Sequence, residues 1–337
     1  MARWRRRLLK LTAGVSVVVV LAVAIHGVKL WFVSQRVPGP QTDHYATINE
    51  SILSIAEDDR AWPTYKTAHA ALGVPPTLDH RARPEFVVDP QGERWATMRD
   101  WLCDRSDVLD HARAAASKPA LGAPLRPFDA ATPFGDPPLL YEARLPHLAV
   151  LRTLSKAMHA DIILAGETGD AVRLVDTVDA MLSMARHARD LPFIQCDVLS
   201  YAIAGRAVTA ITAVIDRDPT ALDGPTIDEL LTLFEAARTT SPEKRGMIGE
   251  DLMIDDIAQR IFDRDGRPVP GVAKALKSRL MGGFSSPLGV AAGQATPVDW
   301  IIAMRSRSRE DAFAQRKHLE RSETRLYDIP VYQRTPE

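Results

Sequence analysis

Four carboxylates crowd the stretch GEDLMIDDIAQR, which follows a helix start at Ser241 and Pro242. Acids that meet in a groove act as general acid and base or bind a divalent cation. Glu250, Asp251 and Asp255 are therefore the candidate catalytic side chains of an envelope hydrolase or a lipid-modifying enzyme. This enzyme is our alternative hypothesis, and it requires the three carboxylates to converge in a pocket.

The pair Asp255 and Asp256 is placed like the paired acids on the aspartate-rich helix of prenyl transferases, which hold magnesium and diphosphate. Gln259 stands where a further acid is required, and the chain has no second such motif. Asp256 and Arg260 are one helical turn apart, a spacing that favours an ion pair. We predict that these two residues pair on a solvated helix face.

The segment SPEK, from Ser241 to Lys244, matches the S-x-x-K of penicillin-recognising enzymes. Those enzymes also carry a K-T-G segment after the serine, whereas the nearest match here, Lys66-Thr67-Ala68, precedes it. A serine followed by proline is a common helix start. We therefore interpret SPEK as the capped first turn of a helix.

Metal chemistry has no support in the sequence. The nine histidines show no H-x-x-x-H or H-E-x-x-H pair. A calcium loop around Asp263 and Asp265 would need side-chain ligands at Ile261 and Val272, which have none. We predict no catalytic, cofactor-binding or metal-binding set. Cys103 and Cys196 either form a disulfide in an oxidising compartment or remain buried free thiols, and both alternatives stay open.

The charge distribution argues against nucleic-acid binding. Seven of the basic residues and no acid lie in the first 36 positions. Without them, 35 basic residues stand against 43 acidic ones. Phosphate binding needs clustered lysine and arginine, so we expect no nucleic-acid partner.

The chain opens with a basic tail and a long apolar stretch. Residues 1–10 carry five basic side chains, and 11–33 comprise 23 nearly all apolar positions, enough to cross the ~20-residue hydrocarbon layer as a helix. An A-x-A pattern at Ala22 to Ala24 also fits a cleavable signal peptide. We favour a single-pass signal anchor with a cytoplasmic tail 1–10, a transmembrane helix 11–33 and an exported remainder.

Helical periodicity dominates 37–330, which we interpret as a single α-helical ectodomain. Apolar stripes at three- and four-residue intervals start at Tyr45, Trp62, Trp95, Leu148 and Ala171. The proline-rich segment 117–146 is either an extended segment across the helices, which we favour, or a cover over a groove.

A further stretch, about 193–215, is apolar nearly all round. Asp197 and Arg206 divide it into uncharged runs that are too short to cross a membrane. We predict a buried central helix in which Gly205 lies at a close contact, so that Gly205→Leu would overpack the site and destabilise the fold.

The stretch LRTLSKAMHADIILAGETGDAVRLVDTVDAMLSMARHARDLP resembles a tetratricopeptide-type helical hairpin. Ala165, Gly169, Asp170, Ala171 and Pro192 match the small residue, the Gly-Asp turn, the second helix and the closing proline of that motif. The Trp, the Tyr and the second Gly of the fuller motif are missing, and no second copy follows at the ~34-residue period. The overall layout, with DDRAWPTY and LPHLAVLRTL after a basic anchor, is similar to a type of exported, membrane-anchored helical bacterial protein.

The expected fold is all-α, with the N-terminal transmembrane helix followed by an irregular, tetratricopeptide-like array of antiparallel helical hairpins. The expected function is a protein-interaction or scaffold module of the cell envelope. Its expected partners are the membrane and another envelope protein, without cofactor and without turnover.

Overall fold

The computed structural model of the chain describes residues 25, 27–29, 31, 42–75, 92, 94–125, 139–239 and 245–269. Regular structure within these residues is helical, and the isolated bridges with both partners described join Arg60 to Ala120 and Phe262 to Pro268. The expected all-α class is therefore confirmed. The α-helices with complete bounds are α1 (His44–Leu53), α2 (Trp62–Leu72), α3 (Trp95–Cys103), α4 (Ser106–Ala116), α5 (Pro146–Thr168), α6 (Ala171–Ala188), α7 (Ile194–Arg217), α8 (Gly224–Thr239) and α9 (Arg245–Ile261).

The chain divides into two compact units. The larger takes in His44–Phe128 and Leu140–Met253, and so holds α1 to α8 and the first half of α9. Of the predicted anchor 11–33, the structure describes only 25, 27–29 and 31, which are helical and exposed. The rest of that segment and the predicted tail 1–10 lie outside the described residues.

The turn between α5 and α6 forms as the sequence predicts. α5 ends at Thr168, and Gly169 adopts the left-handed conformation, φ 68° and ψ 20°, which glycine accommodates without steric cost. The side chain of Asp170 then caps α6 by accepting a 3.1 Å hydrogen bond from the backbone N–H of Arg173. The short turn makes α5 and α6 an antiparallel hairpin, and the two helices pack against each other.

The apolar rhythm that starts at Trp95 is divided between two helices, α3 and α4. Arg105, which lies between them, leaves the helical conformation at φ −123° and ψ 22°. Its Nε donates a 2.9 Å hydrogen bond to the carbonyl of Leu72 at the end of α2. Apolar periodicity predicts the buried face of both helices correctly. It does not predict the break between them, where Arg105 contacts a residue 33 positions away.

The centre of the larger unit is the group of α5, α6 and α7, which all pack on one another. α2 and α4 pack together and against this group. Each large apolar side chain that is removed from water in this core contributes about 1.5–3 kcal/mol to stability. Fully buried members are Leu102, Leu109, Leu151, Met158, Ile162, Leu174, Met181 and Ile203.

A buried carboxylate connects three of these helices. Asp161 of α5 has no exposed surface, and it accepts hydrogen bonds from Arg113 of α4 at 2.8 Å and from two nitrogens of Arg173 of α6. Thr177 of α6 adds a hydroxyl, which accepts a 2.9 Å hydrogen bond from Arg113. Because a buried charge is tolerated only with well-placed partners, this network constrains how α4, α5 and α6 pack.

α7 belongs to the central group, but it is not buried all round, so the predicted burial of this helix is wrong. One side packs on the core through residues that include Cys196, Leu199, Ile203, Ala207 and Val214. The opposite side, which contains Gly205, is exposed, and a Cβ built on Gly205 meets nothing within 4 Å. The predicted overpacking by Gly205→Leu is therefore also wrong.

The close approach of two helices occurs instead at Gly166 of α5. A Cβ built on Gly166 lies 2.6 Å from both methyl groups of Val214 on α7. Such a distance requires Val214 to move, and a β-branched side chain in a helix has little freedom to do so. α5 and α7 therefore approach each other closely because residue 166 has no side chain.

Alanine substitutions at these two helical glycines are expected to change stability in opposite directions. Gly166→Ala should lower the free energy of unfolding by about 1–3 kcal/mol, because the added methyl overpacks the contact with Val214. Gly205→Ala should raise it by about 0.5–1 kcal/mol, because alanine reduces the backbone entropy of the unfolded chain and meets open space in the fold. Urea unfolding of the dilute full chain, followed by far-ultraviolet circular dichroism, measures both values. Equal signs for the two variants would contradict the described packing of α7.

Candidate functional site

The three acids of the enzyme hypothesis lie on α9. Asp251 is exposed, while Glu250 and Asp255 are half-buried. None of the three lines the cleft that the structure describes in the larger unit. The described cleft is therefore not the pocket that the enzyme hypothesis requires.

Asp256 and Arg260 pair as predicted, but not on a solvated face. Their side chains are 4% and 3% exposed, and Arg260 Nη2 lies 3.2 Å from Asp256 Oδ1. Gln259 is buried beside them, and its amide exchanges hydrogen bonds with the backbone N–H and carbonyl of Thr42 at 2.6 and 3.0 Å. The polar side chains near the C-terminal end of α9 thus bind the backbone of Thr42, which is a structural role.

The aspartates of the calcium-loop candidate form a turn. The carboxylate of Asp263 accepts hydrogen bonds from the backbone N–H groups of Asp265 and Arg267 at 3.0 and 2.8 Å, which closes a turn. The SPEK segment, Ser241 to Lys244, lies outside the described residues. Among the residues that are described, no group of three or more His, Cys, Asp or Glu side chains is placed to hold a metal ion.

Cys196 and His147 form a thiol–imidazole pair that sequence analysis did not single out. The Cys196 Sγ lies 3.5 Å from His147 Nε2, and both side chains are fully buried. Burial raises the pKa of the Cys196 thiol to about 12 and lowers that of the His147 imidazole to about 4. Both groups are neutral at pH 7, so the pair offers no thiolate nucleophile. Both cysteines are free thiols, so the disulfide alternative is wrong. The burial expected of both thiols is found for Cys196 only, because Cys103 is exposed.

A second buried histidine fixes the proline-rich segment to α2. His187 Nδ1 lies 3.1 Å from the hydroxyl of Tyr65, and His187 Nε2 lies 2.8 Å from the carbonyl of Lys118. Burial lowers the pKa of His187 to about 4 and raises that of Tyr65 well above its usual value. The neutral imidazole therefore donates to Lys118 and accepts from Tyr65, which is a structural connection.

The described start of the proline-rich segment 117–146 pairs with the start of α2, and both alternatives for the whole segment stay open, because 126–138 lie outside the described residues. The backbone N–H groups of Ala61 and Trp62 donate 2.8 Å hydrogen bonds to the carbonyls of Ala120 and Leu121. Residues 120–123 form one wall of a cleft of 210 Å³, whose other walls include Ile52 and Asp190. This volume is below the ~300–1,000 Å³ of small-molecule sites. The cleft is therefore a poor candidate for a substrate pocket.

An exposed apolar face runs along α7. Tyr201 is 67% exposed and Val198 63% exposed, values that are unusual for large apolar side chains in a folded chain. The members recur at alternating four- and three-residue intervals, which average 3.5 residues and extend over about 32 Å at 1.5 Å per residue. We call the following residues the α7 face: Ile194, Val198, Tyr201, Gly205, Val208, Thr212 and Ile215.

Two of the charged side chains within this helix, Asp197 and Arg206, bond to residues outside the α7 face. Asp197 pairs with Arg189, with 3.4 Å between Oδ1 and Nε. Arg206 donates a 3.1 Å hydrogen bond to the hydroxyl of Ser155 on α5. The hydroxyl of Thr212 donates to the carbonyl of Val208 at 3.0 Å, so its proton is satisfied inside the helix. The members of the α7 face are thus mostly apolar, but charged groups border it. The Arg189 guanidinium lies 4.7 Å from the centroid of the Tyr201 ring, and the exposed Asp216 follows Ile215.

A basic cluster borders the α7 face on the side of α5. It consists of Arg152 and Lys156 on α5 and Arg206 on α7. Burial, followed by the charges of Arg206 and Arg152, lowers the pKa of Lys156. Burial and the charge of Arg152 likewise lower the pKa of Arg206. Arg206 donates its hydrogen bond to Ser155, which lies within one helical turn of Arg152 and Lys156 on α5, so the three basic residues are neighbours.

α7 is long and apolar enough to cross a membrane, and it alone passes that test among the helices of the described residues. The test considers length and composition, which the core helix of a soluble protein also satisfies. One side of α7 packs against α5 and α6, and 33% of its most apolar 18-residue stretch is buried. Most of the predicted anchor 11–33 lies outside the residues to which the test applies.

Comparison of the chain with protein-family models, curated proteins and solved structures finds no match in any of the three. The function is therefore argued from the surface of the chain itself.

Proposed function

We propose that this chain is a membrane-anchored helical protein of the cell envelope that works as a protein-interaction or scaffold module. The α7 face is its binding surface. The observation that carries this proposal is the exposure of regularly spaced apolar side chains on a helix whose Asp197 and Arg206 bond to neighbouring residues. Covering such a face releases about 25 cal/mol per Å² of apolar surface, and a helix accepts another helix in this way.

The anchor and the export of the ectodomain belong to the same proposal. The basic tail 1–10 and the apolar stretch 11–33 support a single membrane span with a cytoplasmic N-terminus. An anchor confines the chain and its partner to one surface, which raises their effective concentration.

The tetratricopeptide-like array is also part of the proposal, and the hairpin of α5 and α6 supports it. The two helices have 23 and 18 residues, so each exceeds half of a ~34-residue repeat. The array that we propose is therefore irregular, with longer helices than the repeat requires.

Photo-crosslinking in the native membrane tests the binding surface. A photo-reactive residue in place of Val198 should produce adducts of discrete mass, because Val198 lies within the α7 face. The matched control is the same residue in place of Val172, which is 73% exposed but lies at the start of α6. Adding Tyr201→Asp to the Val198 chain should remove the adducts without unfolding it, because residue 201 is exposed and its charge stays hydrated in the free chain.

Two results would contradict the proposal. One is the absence of position-specific adducts at Val198. The other is turnover of an envelope substrate that Asp255→Asn abolishes in a folded chain, which would favour the hydrolase or lipid-modifying alternative. Asp251→Asn and Asp255→Asn should both leave the adducts intact, because neither residue belongs to the α7 face.

A further inference from the structure

We infer that the α7 face binds the α7 face of a second copy of this chain, with the two helices parallel and in register as a short two-stranded coiled coil. The inference rests on the proposed function and names the partner of that same surface.

The residues of the α7 face have the heptad spacing of a coiled coil. Three heptads separate Ile194 from Ile215, and alternate steps of four and three residues carry the face without interruption. A straight helix has 3.6 residues per turn, so side chains at a 3.5-residue repeat gradually rotate away from one side. Two helices that coil around each other keep these side chains at their interface. Val198, Gly205 and Thr212 then occupy one of the two core positions of the heptad, and the other members of the α7 face occupy the second. A second copy carries the same spacing over the same length.

The available area also supports this pair. The five large apolar side chains of the α7 face are 40–67% exposed. Together with the smaller residues they present on the order of 700 Å², close to the ~800 Å² that each partner contributes to a standard stable interface. Gly205 lies in the middle of the face with open space above it, which lets the two backbones approach closely at the centre.

The basic cluster decides the orientation. Arg206 directly follows the central Gly205 and points toward α5. In an antiparallel pair centred on Gly205, the two-fold axis is perpendicular to the helices, so both basic clusters lie on the same side of the interface and repel each other. In a parallel pair the axis runs along the helices, and the clusters lie on opposite sides. The parallel arrangement avoids this repulsion.

The shape of the α7 face agrees with the parallel pair. Tyr201 and Val208 lie along one edge, and the small exposed residues Ala202 and Thr209 lie along the other. A two-fold axis parallel to the helices brings the large edge of one copy against the small edge of the other. The antiparallel pair instead places the two large edges together, which leaves the small edges apart.

Disulfide crosslinking of the full chain in its own membranes tests the inference. The starting variant is Cys103→Ser, which removes the exposed thiol and keeps the buried Cys196. In this background Ile194→Cys, Gly205→Cys and Ile215→Cys should each form, under mild oxidation, a dimer of twice the 37.1 kDa of one chain. Co-expression of two differently tagged copies identifies the dimer as a pair of the same chain. Val172→Cys should form none, although Val172 is more exposed than Ile194 or Ile215.

A second variant separates the contact from the stability of the fold. Gly205→Leu fills the central layer of the interface, and we expect it to reduce the dimer yield of Ile194→Cys while the chain stays folded. Self-crosslinking at Gly205→Cys alone, with Ile194→Cys bonding only to Ile215→Cys, would show an antiparallel pair and overturn the inference. These two positions are about 31 Å apart along one helix, so their crosslinking reports orientation unambiguously.

Different crosslinking results would contradict this inference and the proposed function. Adducts of the Val198 photo-crosslinker to another envelope protein or to lipid, without cysteine dimers, would overturn the second copy as partner. Adducts to another protein would leave the interaction module standing. The absence of both adducts and dimers would overturn the two proposals together.

Discussion

Asp161→Ala is expected to lower the free energy of unfolding by about 3 kcal/mol or more, because it removes one partner of a buried, hydrogen-bonded charge network. The carboxylate is fully buried, whereas the side chains of Arg113 and Arg173 are 15% and 24% exposed. The two arginines are therefore left close together with little access to water. Their partial exposure places the loss near the lower end of the ~3–5 kcal/mol that broken buried pairs cost. Urea unfolding of the full chain measures it.

Asp110 provides a matched control on the same arginine. Its carboxylate lies 2.6 Å from Arg113 Nη2, but its side chain is 68% exposed. Asp110→Ala should cost no more than about 1 kcal/mol, because an exposed ion pair gains little over hydration. Similar losses for the two variants would mean that the buried network does not stabilise the packing of α4, α5 and α6.

Acidification from pH 6.5 to pH 4 is expected to destabilise the fold through its buried histidines. Burial lowers the pKa of both His147 and His187 from 6.5 to about 4. Between these two pH values the unfolded chain binds protons that the folded chain excludes, so stability falls as pH falls. At 1.36 kcal/mol per pKa unit, each histidine accounts for on the order of 3 kcal/mol across this window. Above pH 6.5 both states are neutral, and this contribution is constant.

Chemical denaturation at several pH values tests this prediction. His187→Gln should reduce the slope of stability against pH in this window, because glutamine keeps a polar contact near Tyr65 and does not titrate. His147→Gln should act in the same direction, and the double variant should give the flattest profile. His111→Gln, at an exposed position of α4, is the matched control and should leave the slope unchanged. An unchanged slope in the double variant would contradict the assignment of the pH dependence to these two imidazoles.

The sequence by itself determined those features that depend on neighbours along the chain. The turn at Gly169 and Asp170 forms where it is predicted, because a left-handed glycine and an aspartate cap act within one or two residues of the backbone they fix. The end of α2 at Gly73, with φ 71°, follows for the same reason. Apolar periodicity predicted the helical class because every helix must present a stripe to a core.

Periodicity also predicted the buried side of α2, α3 and α4, although His69, which it assigned to the α2 stripe, is only half-buried. These helices carry one apolar stripe each, so only one orientation removes that stripe from water. Apolar periodicity predicts the buried side where a helix has a single side that can be covered.

Tertiary structure decided the orientation of α7, whose sequence is apolar nearly all round. Such a helix carries no polar stripe to show which side faces water, and small residues occur on several sides of it. The close approach is made by Gly166 on α5, and the exposed side contains Gly205. The surface on which both proposals rest is thus visible only once α5 and α6 have covered the rest of the helix.

The polar contacts of the core were also beyond the sequence. Asp161 and Arg113 are 48 positions apart, and Cys196 and His147 are 49 apart. Asp256 and Arg260 are near neighbours and their pairing is predictable, but their burial is not, because burial depends on what packs over α9. Local chemistry follows from spacing along the chain, whereas burial and the pKa shifts that accompany it are properties of the assembled fold.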